Sequence, residues 1–373
     1  MEAKNRIIIV GAGLAGLCMA IHLRKRGIGV TLIEKNDFRQ HKVCGEYISN
    51  EVLPYLRWLD IDLTPLQPTA ITKLSFSLVG GESTTATLPL GGFGLSRYVL
   101  DDFLSKIAKL RGCELLKDKV ESVTFTADRF LVATAASGNM SAELVIGAYG
   151  KRANLDMILK RDFFFKKSPW LAVKAHYTGD FPADTVALYN FKGGYCGVSK
   201  VENDRINICY LSDYTHFKKF RNIEAFEQQV LCSNPKLRAI LVNCKPLFEQ
   251  PLSISQISFA RKNPVHHHML MIGDTAGLIH PLCGNGMAMA IHSAKLCSEL
   301  IEDFFNGNSS RAELEDRYTR IWNKTFKTRI GMGRLLASLL RNEYLLKPFW
   351  MLLVKLPAFL PLIIKKTHGK PIE

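Results

Sequence analysis

The first forty residues alternate short apolar runs with a stretch that has helical spacing. Residues 7–10 and 30–33 are almost wholly aliphatic or β-branched, a pattern typical of buried parallel strands. Between them, Leu17, Ala20 and Ile21 recur at the spacing of one helical face. This segment therefore predicts a strand, a turn, a helix and a second strand.

The same two periodicities predict the elements farther along the chain. Residues 97–110 place Leu100, Phe103, Leu104 and Ile107 on one face, which indicates an amphipathic helix. Four strand-like runs separated by turn residues favour an antiparallel sheet, at 171–177, 185–191, 195–201 and 205–211. The other predicted elements are a helix-like stretch at 49–59 that Pro54 interrupts or starts, a hairpin at 73–79 and 84–88, strands at 115–123, 130–135, 144–148 and 269–272, and helical residues near 217–231.

The turn after the first strand has the glycine spacing of a dinucleotide site. Gly11 lets the chain turn sharply, Gly13 lets the backbone approach a pyrophosphate, and Gly16 lets the helix lie close to the strand. Leu14 and Ala15 begin the helix, where free N–H groups and the helix dipole favour negative charge.

An acidic residue ends the second strand of this unit. The carboxylate of Glu34 can accept hydrogen bonds from the ribose hydroxyls of an adenosine, and it would repel a phosphorylated 2′ oxygen. Lys35 follows it directly. The strand, helix and acid that surround the glycines make a purely structural role for the glycines the weaker interpretation.

A second glycine turn follows the strand predicted at 269–272. The sequence there is IGDTAGLIHPLCGNGMAMAIHSA, in which a strand, an Asp, a proline and a GNG turn precede a long helix. Asp274 can accept from a ribityl hydroxyl, and the helix that starts near Gly286 and Met287 can offer N–H groups to a flavin ring. A flavin needs this kind of arrangement.

Together the two turns resemble the superfamily of FAD-dependent monooxygenases and reductases with the para-hydroxybenzoate hydroxylase fold, of which geranylgeranyl reductases and flavin-dependent halogenases are branches. The resemblance covers roughly residues 6–300. It implies that Arg97, in SRYVLDDFL, lies beside the flavin phosphates and ring, the alternative being a helix cap or a surface pair. It implies that Val120 contacts adenine through its backbone. The element KVCGE at residues 42–46 resembles segments that pass along the flavin edge in both branches.

Two departures from the superfamily bear on the reaction. Tyr149, in GAYGKRAN, stands where hydroxylases carry an aspartate that helps to place cofactor and nicotinamide. Two electron sources therefore stay open: NADPH acting directly, or an external flavin reductase as partner. The WxWxIP motif of the halogenases is missing, and LYNFKGGYCGV stands in the corresponding stretch, so chlorination is not expected.

The resemblance to reductases suggests two catalytic candidates. Cys44 matches a cysteine beside the flavin, and its thiol can donate a proton to a carbon–carbon double bond that receives hydride. Packing as a small apolar residue is an equally weighted role for Cys44. Glu46 is the second candidate, as an acid or as a substrate anchor.

Hydroxylation of an aromatic or polyketide intermediate is the alternative reaction, and a non-catalytic flavoprotein scaffold is a third hypothesis. Cys283 is expected to pack under the turn.

Composition and charge narrow the partners. The chain has 373 residues, 47% of them hydrophobic, and a net charge of +15 that suits anionic partners, although no nucleic-acid motif accompanies it. Basic residues are most frequent near the end of the chain, and a solvated helical face is the favoured interpretation of them. They are Arg317, Arg320, Lys324, Lys327, Arg329, Arg334 and Arg341. Nine scattered cysteines and the lack of a signal peptide favour a reducing cytosol. No metal site is expected, since His266, His267 and His268 cannot all face one ion.

The end of the chain suggests the substrate class. Residues 349–364 are strongly apolar but are interrupted by Lys355, Pro357 and Pro361, and are too short to span a bilayer. They form either a helix pair packed on the substrate domain, which is slightly favoured, or an interfacial anchor. Both interpretations fit a lipophilic small-molecule substrate, with the protein cytoplasmic or peripheral on a membrane.

The predicted fold class is α/β (α+β). It consists of a discontinuous Rossmann-like FAD-binding domain, an inserted antiparallel-sheet substrate domain and a helical C-terminus. The FAD-binding domain is expected at 1–70, 90–160 and 265–305, the substrate domain at 71–89 and 161–264, and the helical region at 306–373.

Overall fold

The computed structural model describes residues 7–220, 222–341, 348, 351, 364 and 366–373. Its strands are β1 (Ile7–Val10), β2 (Val30–Glu34), β3 (Tyr47–Ser49), β4 (Thr69–Ser77), β5 (Ser83–Gly94), β6 (Glu114–Lys117), β7 (Val120–Thr126), β8 (Arg129–Thr134), β9 (Gly138–Ala142), β10 (Leu144–Gly147), β11 (Trp170–Thr178), β12 (Thr185–Phe191), β13 (Gly194–Lys200), β14 (Ile206–Asp213), β15 (Lys245–Pro246), β16 (Leu252–Ile254), β17 (Val265–His266) and β18 (Met269–Met271). Its helices are α1 (Leu14–Lys25), α2 (Leu53–Trp58), α3 (Arg97–Leu110), α4 (Asn154–Ile158), α5 (Asp162–Phe165), α6 (Tyr214–Phe217), α7 (Ile223–Gln229), α8 (Pro235–Asn243), α9 (Gly286–Phe305) and α10 (Arg311–Arg341).

The first glycine turn follows β1, which belongs to a six-stranded sheet. The strand order of this sheet is β17-β18-β10-β1-β2-β6. Strands β18, β10, β1, β2 and β6 are parallel, and β17 adds an antiparallel edge. All four residues of β1 are buried, as expected for a central parallel strand covered on both faces. The helices α1 and α9 pack against each other in this part of the molecule.

A second sheet of nine strands contains the four strands predicted in the middle of the chain. Its order is β15-β11-β14-β13-β12-β4-β5-β3, and β16 pairs with β11. The hairpin β4–β5 belongs to this sheet, and β4 pairs with β12 in parallel, so the sheet is not wholly antiparallel as predicted. One face packs Tyr189, Val198 and Tyr210 against Phe226 of α7 and Leu237 of α8 in a separate apolar core.

A third sheet corrects the strand predicted at 115–123. The chain breaks there into β6, which joins the parallel sheet, and β7, which pairs with β8 and β9. The cause is Asp118, whose carboxylate accepts the backbone N–H groups of Lys119, Ala136 and Ser137 at 2.7–3.2 Å. A strand at β9 was not predicted. The overall α/β (α+β) class is confirmed.

Two helix predictions also change in detail. Of the two alternatives predicted for Pro54, the structure has the second: Pro54 starts α2, and a short 3-10 turn at Asn50–Val52 precedes it. The helical stretch predicted near 217–231 is two short helices, α6 and α7, because Asn222 caps α7 by accepting the N–H of Ala225. By contrast, α3 has the predicted bounds, with Ser96 as its N-cap.

Candidate functional site

The three glycines of the first turn have different surroundings. A Cβ on Gly16 would lie 2.1 Å from the carbonyl oxygen of Gly11, and one on Gly11 would lie 2.5 Å from that of Ala148. Gly11 also has φ 109°, which side chains disfavour. A Cβ on Gly13 would meet nothing closer than 3.7 Å, at Nη2 of Arg97. Packing therefore requires Gly11 and Gly16, whereas the space at Gly13 is open for a ligand.

The second turn meets the first although about 260 residues separate them in sequence. A Cβ on Gly273 would lie 3.0 Å from Cβ of Ala15, and the N–H of Gly273 donates to Oγ of Ser293 at 2.8 Å. Neither α1 nor α9 has a side-chain cap or an acidic residue in its first turn. Both helices therefore keep N–H groups free for a ligand.

One cavity of about 290 Å³ adjoins both helix N-termini. Nine of the candidate residues line it: Gly13, Leu14, Ala15, Cys44, Glu46, Arg97, Asp274, Gly286 and Met287. Gly11 and Gly16 lie beneath the turn, as their backbone contacts show. Glu34, Lys35 and Val120 are not part of the cavity lining.

Glu34 lies at the end of β2, beside the first turn. Its carboxylate accepts the backbone N–H groups of Ala12 at 2.9 Å and Asn36 at 3.1 Å. Its carbonyl oxygen accepts the N–H of Asp118, so the chain that leads into Val120 passes close by. Lys35 is exposed next to it. This edge can offer a carboxylate and backbone groups to an adenosine.

Arg97 is held at the phosphate end of the cavity by a buried carboxylate. Its Nε and Nη2 donate to the two oxygens of Asp101, both at 2.7 Å, and Lys42 donates to the same carboxylate at 2.9 Å. Burial works to raise the pKa of Asp101, but the charges of Arg97 and Lys42 outweigh it and lower that pKa. The guanidinium is thereby fixed beside Gly13, where it can face a phosphate.

Glu46 is part of a buried cluster that the sequence did not predict. One carboxylate oxygen accepts from Lys174 at 2.7 Å and from the N–H of Arg97 at 2.9 Å, and the other contacts Nε2 of His176 at 2.6 Å. Burial would raise the pKa of Glu46, but the hydrogen bond to His176 and the charge of Lys174 lower it. A fully paired carboxylate is a poor proton donor. The structure therefore argues against Glu46 as the acid or the substrate anchor, and favours a supporting role.

The backbone of Glu46 explains what this cluster supports. Glu46 has φ 54°, a left-handed conformation that costs a residue with a side chain about 1–2 kcal/mol. Cys44 lies two residues before it in the cavity wall, and its carbonyl oxygen accepts from Nδ2 of Asn207 at 3.2 Å. The loop that carries Cys44 is thus fastened on both sides to residues of the nine-stranded sheet.

One part of the cavity wall is apolar and is called the apolar chamber below. The side chains that line it come from β4, β5 and β12 and from the carboxyl-terminal segment: Leu74, Phe76, Leu88, Val186, Leu188 and Ile364. Cys283 also lines the cavity, and a Cβ on Gly333 of α10 would lie 3.1 Å from its sulfur, so it packs under that helix. The apolar stretch at 349–364 lies outside the described residues, apart from Met351 and Ile364.

The carboxyl-terminal residues are tied to the second glycine turn through Glu51. This buried carboxylate contacts Arg329 of α10 at 3.3 Å and Nδ2 of Asn285 at 3.3 Å, and accepts the N–H of Gly369. Asn285 also donates to the carbonyl oxygen of Thr367 at 3.1 Å. Arg329 is therefore internal, whereas the sequence favoured a solvated basic face for the residues of this helix.

Two buried cations lie behind the flavin turns. Lys262 donates to the carbonyl oxygens of Lys151 at 2.9 Å and Asp274 at 2.8 Å, and burial lowers its pKa to about 8. Arg161 donates to the carbonyl oxygen of Thr275 at 2.9 Å. Tyr149 is directed toward Arg161, 3.4 Å from hydroxyl to Nη1, and is not part of the cavity lining.

Sequence reasoning missed most of these supporting residues. A signal was available for Lys174 and His176, because two polar residues two positions apart interrupt the apolar strand WLAVKAHYT and must share one face. No local signal distinguishes Lys262 or Arg329 from solvated basic residues. Among the described residues, no group of histidines, cysteines and acids could hold a metal ion.

Comparisons with known proteins agree with this geometry. The family model described as FAD dependent oxidoreductase matches residues 6–62, and the model described as squalene epoxidase matches residues 249–328. Conditioned medium factor receptor 1 of Dictyostelium discoideum is 24% identical over 91% of this chain and 71% of its own length. Digeranylgeranylglycerophospholipid reductase of Methanosarcina mazei is 23% identical over 92% of this chain and 86% of its own. A solved flavin-dependent brominase superposes with a TM-score of 0.81 at 17% identity, covering 99% of this chain and 94% of that chain.

The residues present fit FAD. The open space at Gly13 suits a pyrophosphate, the uncapped start of α9 suits the polar edge of a flavin ring, and Glu34 suits a ribose. These similarities support an FAD-dependent oxidoreductase, and the chain shares the fold of solved flavin-dependent halogenases.

Proposed function

We propose that this oxidoreductase reduces a carbon–carbon double bond in a lipophilic substrate, in the manner of the geranylgeranyl reductases. The supporting observation is that one cavity joins the glycine turns to the apolar chamber and contains Cys44 in its wall. A substrate whose unsaturated chain lies in the chamber would extend toward the flavin edge. The digeranylgeranylglycerophospholipid reductase among the relatives supports this substrate class.

The chamber accounts for the preference for an apolar substrate. Its six side chains offer no hydrogen-bonding group, and the hydroxyl of Tyr47, in the same apolar cluster, donates to the carbonyl oxygen of Gly91 at 3.3 Å. A polar substituent that entered the chamber would therefore lose most of its contacts with water without replacement. A hydrocarbon chain would instead gain from leaving water, by about 25 cal/mol for each Å² that is buried. Selection would therefore rest on shape and apolarity rather than on charge.

Each polar residue of the site has a role in this proposal. FAD, when bound and reduced, supplies a hydride. Gly13 and Arg97 would hold its phosphates, and Asp274 its ribityl chain. Cys44 would donate its thiol proton to the second carbon of the double bond, so that the bond is saturated without a free carbanion. The ion-paired Glu46 would keep the Cys44 loop in place and take no proton.

A second candidate is oxygenation of a lipophilic substrate. The match of residues 249–328 to the squalene epoxidase model favours it, because that range contains the second glycine turn and all of α9. The same apolar chamber would serve an oxygenase, but Cys44 would then have no proton to deliver. The two reactions therefore differ in their need for Cys44 and for oxygen.

The decisive experiment uses purified holoprotein that is reduced with dithionite under anaerobic conditions. A geranylgeranylated glycerolipid is then added, and flavin absorbance and product mass are followed. Reoxidation without oxygen, with two hydrogen atoms added to the lipid, supports the reductase. A product that forms only in oxygen and contains one oxygen atom more than the substrate supports the oxygenase. Reduction by NADPH, compared with reduction by an added flavin reductase, identifies the electron donor.

Variants of cysteine test the proton donor. Cys44→Ala should keep FAD bound and slow turnover by about 100-fold, within the usual range for loss of a general acid. Cys232→Ala is the matched control, because Cys232 is a partly exposed thiol that is not part of the cavity lining. Unchanged turnover in Cys44→Ala would return Cys44 to a packing role.

A further inference from the structure

The segment 154–167 exposes apolar side chains on its outer face, where they do not contribute to the buried core. Its inner face is buried through Leu155 and Phe163, and it is held by Arg161, which donates to the carbonyl oxygens of Thr275 and Asn263. The outer face should then be polar. Instead, Met157 is 47% exposed, Ile158 45% and Phe165 64%.

Basic residues surround this apolar face. Five exposed lysines lie on it or on the adjacent α6 segment, and one exposed carboxylate, Asp162, accompanies them. The two segments adjoin, since the N–H of Tyr214 donates to the carbonyl oxygen of Pro169 at 2.5 Å, and Tyr214 is itself 46% exposed. The lysines are Lys160, Lys166, Lys167, Lys218 and Lys219.

The patch lies beside the cavity. The guanidinium of Arg152 stacks on the ring of Phe164 at 3.8 Å, and the adjacent Lys151 lines the cavity and donates to the carbonyl oxygen of Val43. Arg161 donates to the carbonyl oxygen of Thr275, and Lys262 donates to that of Asp274 while it lies 4.2 Å from the ring centre of Phe163. These contacts fix the position of the patch relative to the cavity. A surface that contacted the patch would therefore lie next to the active site.

We propose that this patch, formed by Met157, Ile158, Phe165 and the five lysines, docks on a bilayer that contains anionic lipid. Exposed apolar side chains flanked by lysines match the two parts of an interfacial membrane site, insertion below the headgroups and attraction to their charge. With five exposed lysines and one exposed carboxylate, the patch would repel a basic protein surface and attract an anionic one. No helix within the described part of the chain has the length and apolarity to cross a bilayer, so contact would be peripheral. The inference does not depend on which reaction the site performs.

The test measures co-sedimentation of FAD-loaded protein with vesicles. One set contains phosphatidylglycerol and phosphatidylcholine, and the other contains phosphatidylcholine alone. The double variant Phe165→Ser/Lys166→Glu should lower binding to the anionic vesicles about tenfold or more. The matched control is Leu110→Ser/Lys109→Glu, which makes the same changes at another exposed apolar residue beside a lysine, Leu110 being 87% exposed.

The expected pattern is binding to anionic vesicles that weakens with salt, is kept by the control and is lost in the patch variant. Retained flavin absorbance shows that each variant is folded. Binding that the patch variant keeps would assign the contact to another part of the chain and overturn the proposal. Failure of the unmodified protein to bind anionic vesicles at low salt would also overturn it, and would leave the patch to a protein partner.

Discussion

Gly13 and Gly16 lie in the same turn, but the structure predicts opposite consequences for adding a methyl group to each. At Gly13 the new Cβ lies 3.7 Å from Nη2 of Arg97 and 3.9 Å from the carbonyl oxygen of Ala148, which are ordinary contacts. Its φ of −79° and ψ of 179° suit alanine. We therefore expect Gly13→Ala to change the stability of the apoprotein by no more than about 1 kcal/mol.

The methyl group of Gly13→Ala occupies the place where a phosphate would approach the backbone. Loss of one hydrogen bond to a charged phosphate costs about 1.5–3 kcal/mol, which corresponds to about a 10- to 150-fold higher Kd for FAD. Gly16→Ala acts differently, because its Cβ lies 2.1 Å from the carbonyl oxygen of Gly11 and forces α1 away from β1. Overpacking of this kind destabilises the fold by about 1–3 kcal/mol.

The assay separates affinity from stability. FAD is titrated into each apoprotein with flavin fluorescence as the signal, and thermal unfolding of the apoproteins is followed by circular dichroism. Gly331→Ala on α10 is the control, since nothing lies within 4 Å of its Cβ and alanine favours a helix by about 1 kcal/mol. An unchanged Kd in Gly13→Ala, or a loss of stability equal to that of Gly16→Ala, would refute the assignment of Gly13 to the phosphate site.

Three further predictions test the supporting residues. Lys174→Met breaks a buried ion pair and should lower the free energy of unfolding by about 3 kcal/mol in urea denaturation, whereas Lys106→Met, at an exposed ion pair, should change it by less than about 1 kcal/mol. Burial raises the pKa of Glu227 from 4.5 to about 7, so its ionisation in the fold destabilises the protein increasingly as pH rises from 4.5 through 7. The free energy of unfolding of Glu227→Gln should then exceed that of the unmodified protein by at most ~3 kcal/mol at pH 8 and equal it near pH 4. A difference that does not change with pH would contradict the pKa argument. Asn285→Ala removes the bonds to Glu51 and Thr367 and should speed hydrogen exchange at 366–373, measured by mass spectrometry; unchanged exchange there would contradict the tie.

Local physics made part of the fold predictable from sequence. The helix α3 was predicted with its observed bounds, because Ser96 caps it and its apolar spacing is regular. The two glycine turns were predicted because strand, turn and helix are adjacent in the chain. The break at Asp118 was missed because a single acidic residue in an apolar run looks like an exposed strand position. Its effect depends on backbone groups at 136 and 137, which sequence spacing does not identify.

The residues of the candidate site were predictable where a short local motif contains them. Gly13 and Asp274 belong to continuous motifs, and both line the cavity. The role of Glu46 depends on Lys174 and His176, 128 and 130 residues away in the chain, so a pattern within one segment could identify the acid but not its ion pairs. Charge alone predicted a solvated Arg329, and only packing shows that it faces Glu51.

The contacts of Lys174 and His176 with Glu46 bear on the position of Cys44 in the cavity wall. The left-handed backbone at Glu46 is unfavourable by itself, and it persists because β11 supplies Lys174 and His176 to its carboxylate. The parallel sheet holds Gly13 and the phosphate end of the site, whereas the nine-stranded sheet sets the position of Cys44. The two parts of the site also meet, because Glu46 accepts the N–H of Arg97 at 2.9 Å and Lys42 donates to Asp101, which holds Arg97. A change in β11 that releases Glu46 should therefore move Cys44 and also disturb Arg97 at the start of α3, so the position of Cys44 and the affinity for FAD should change together.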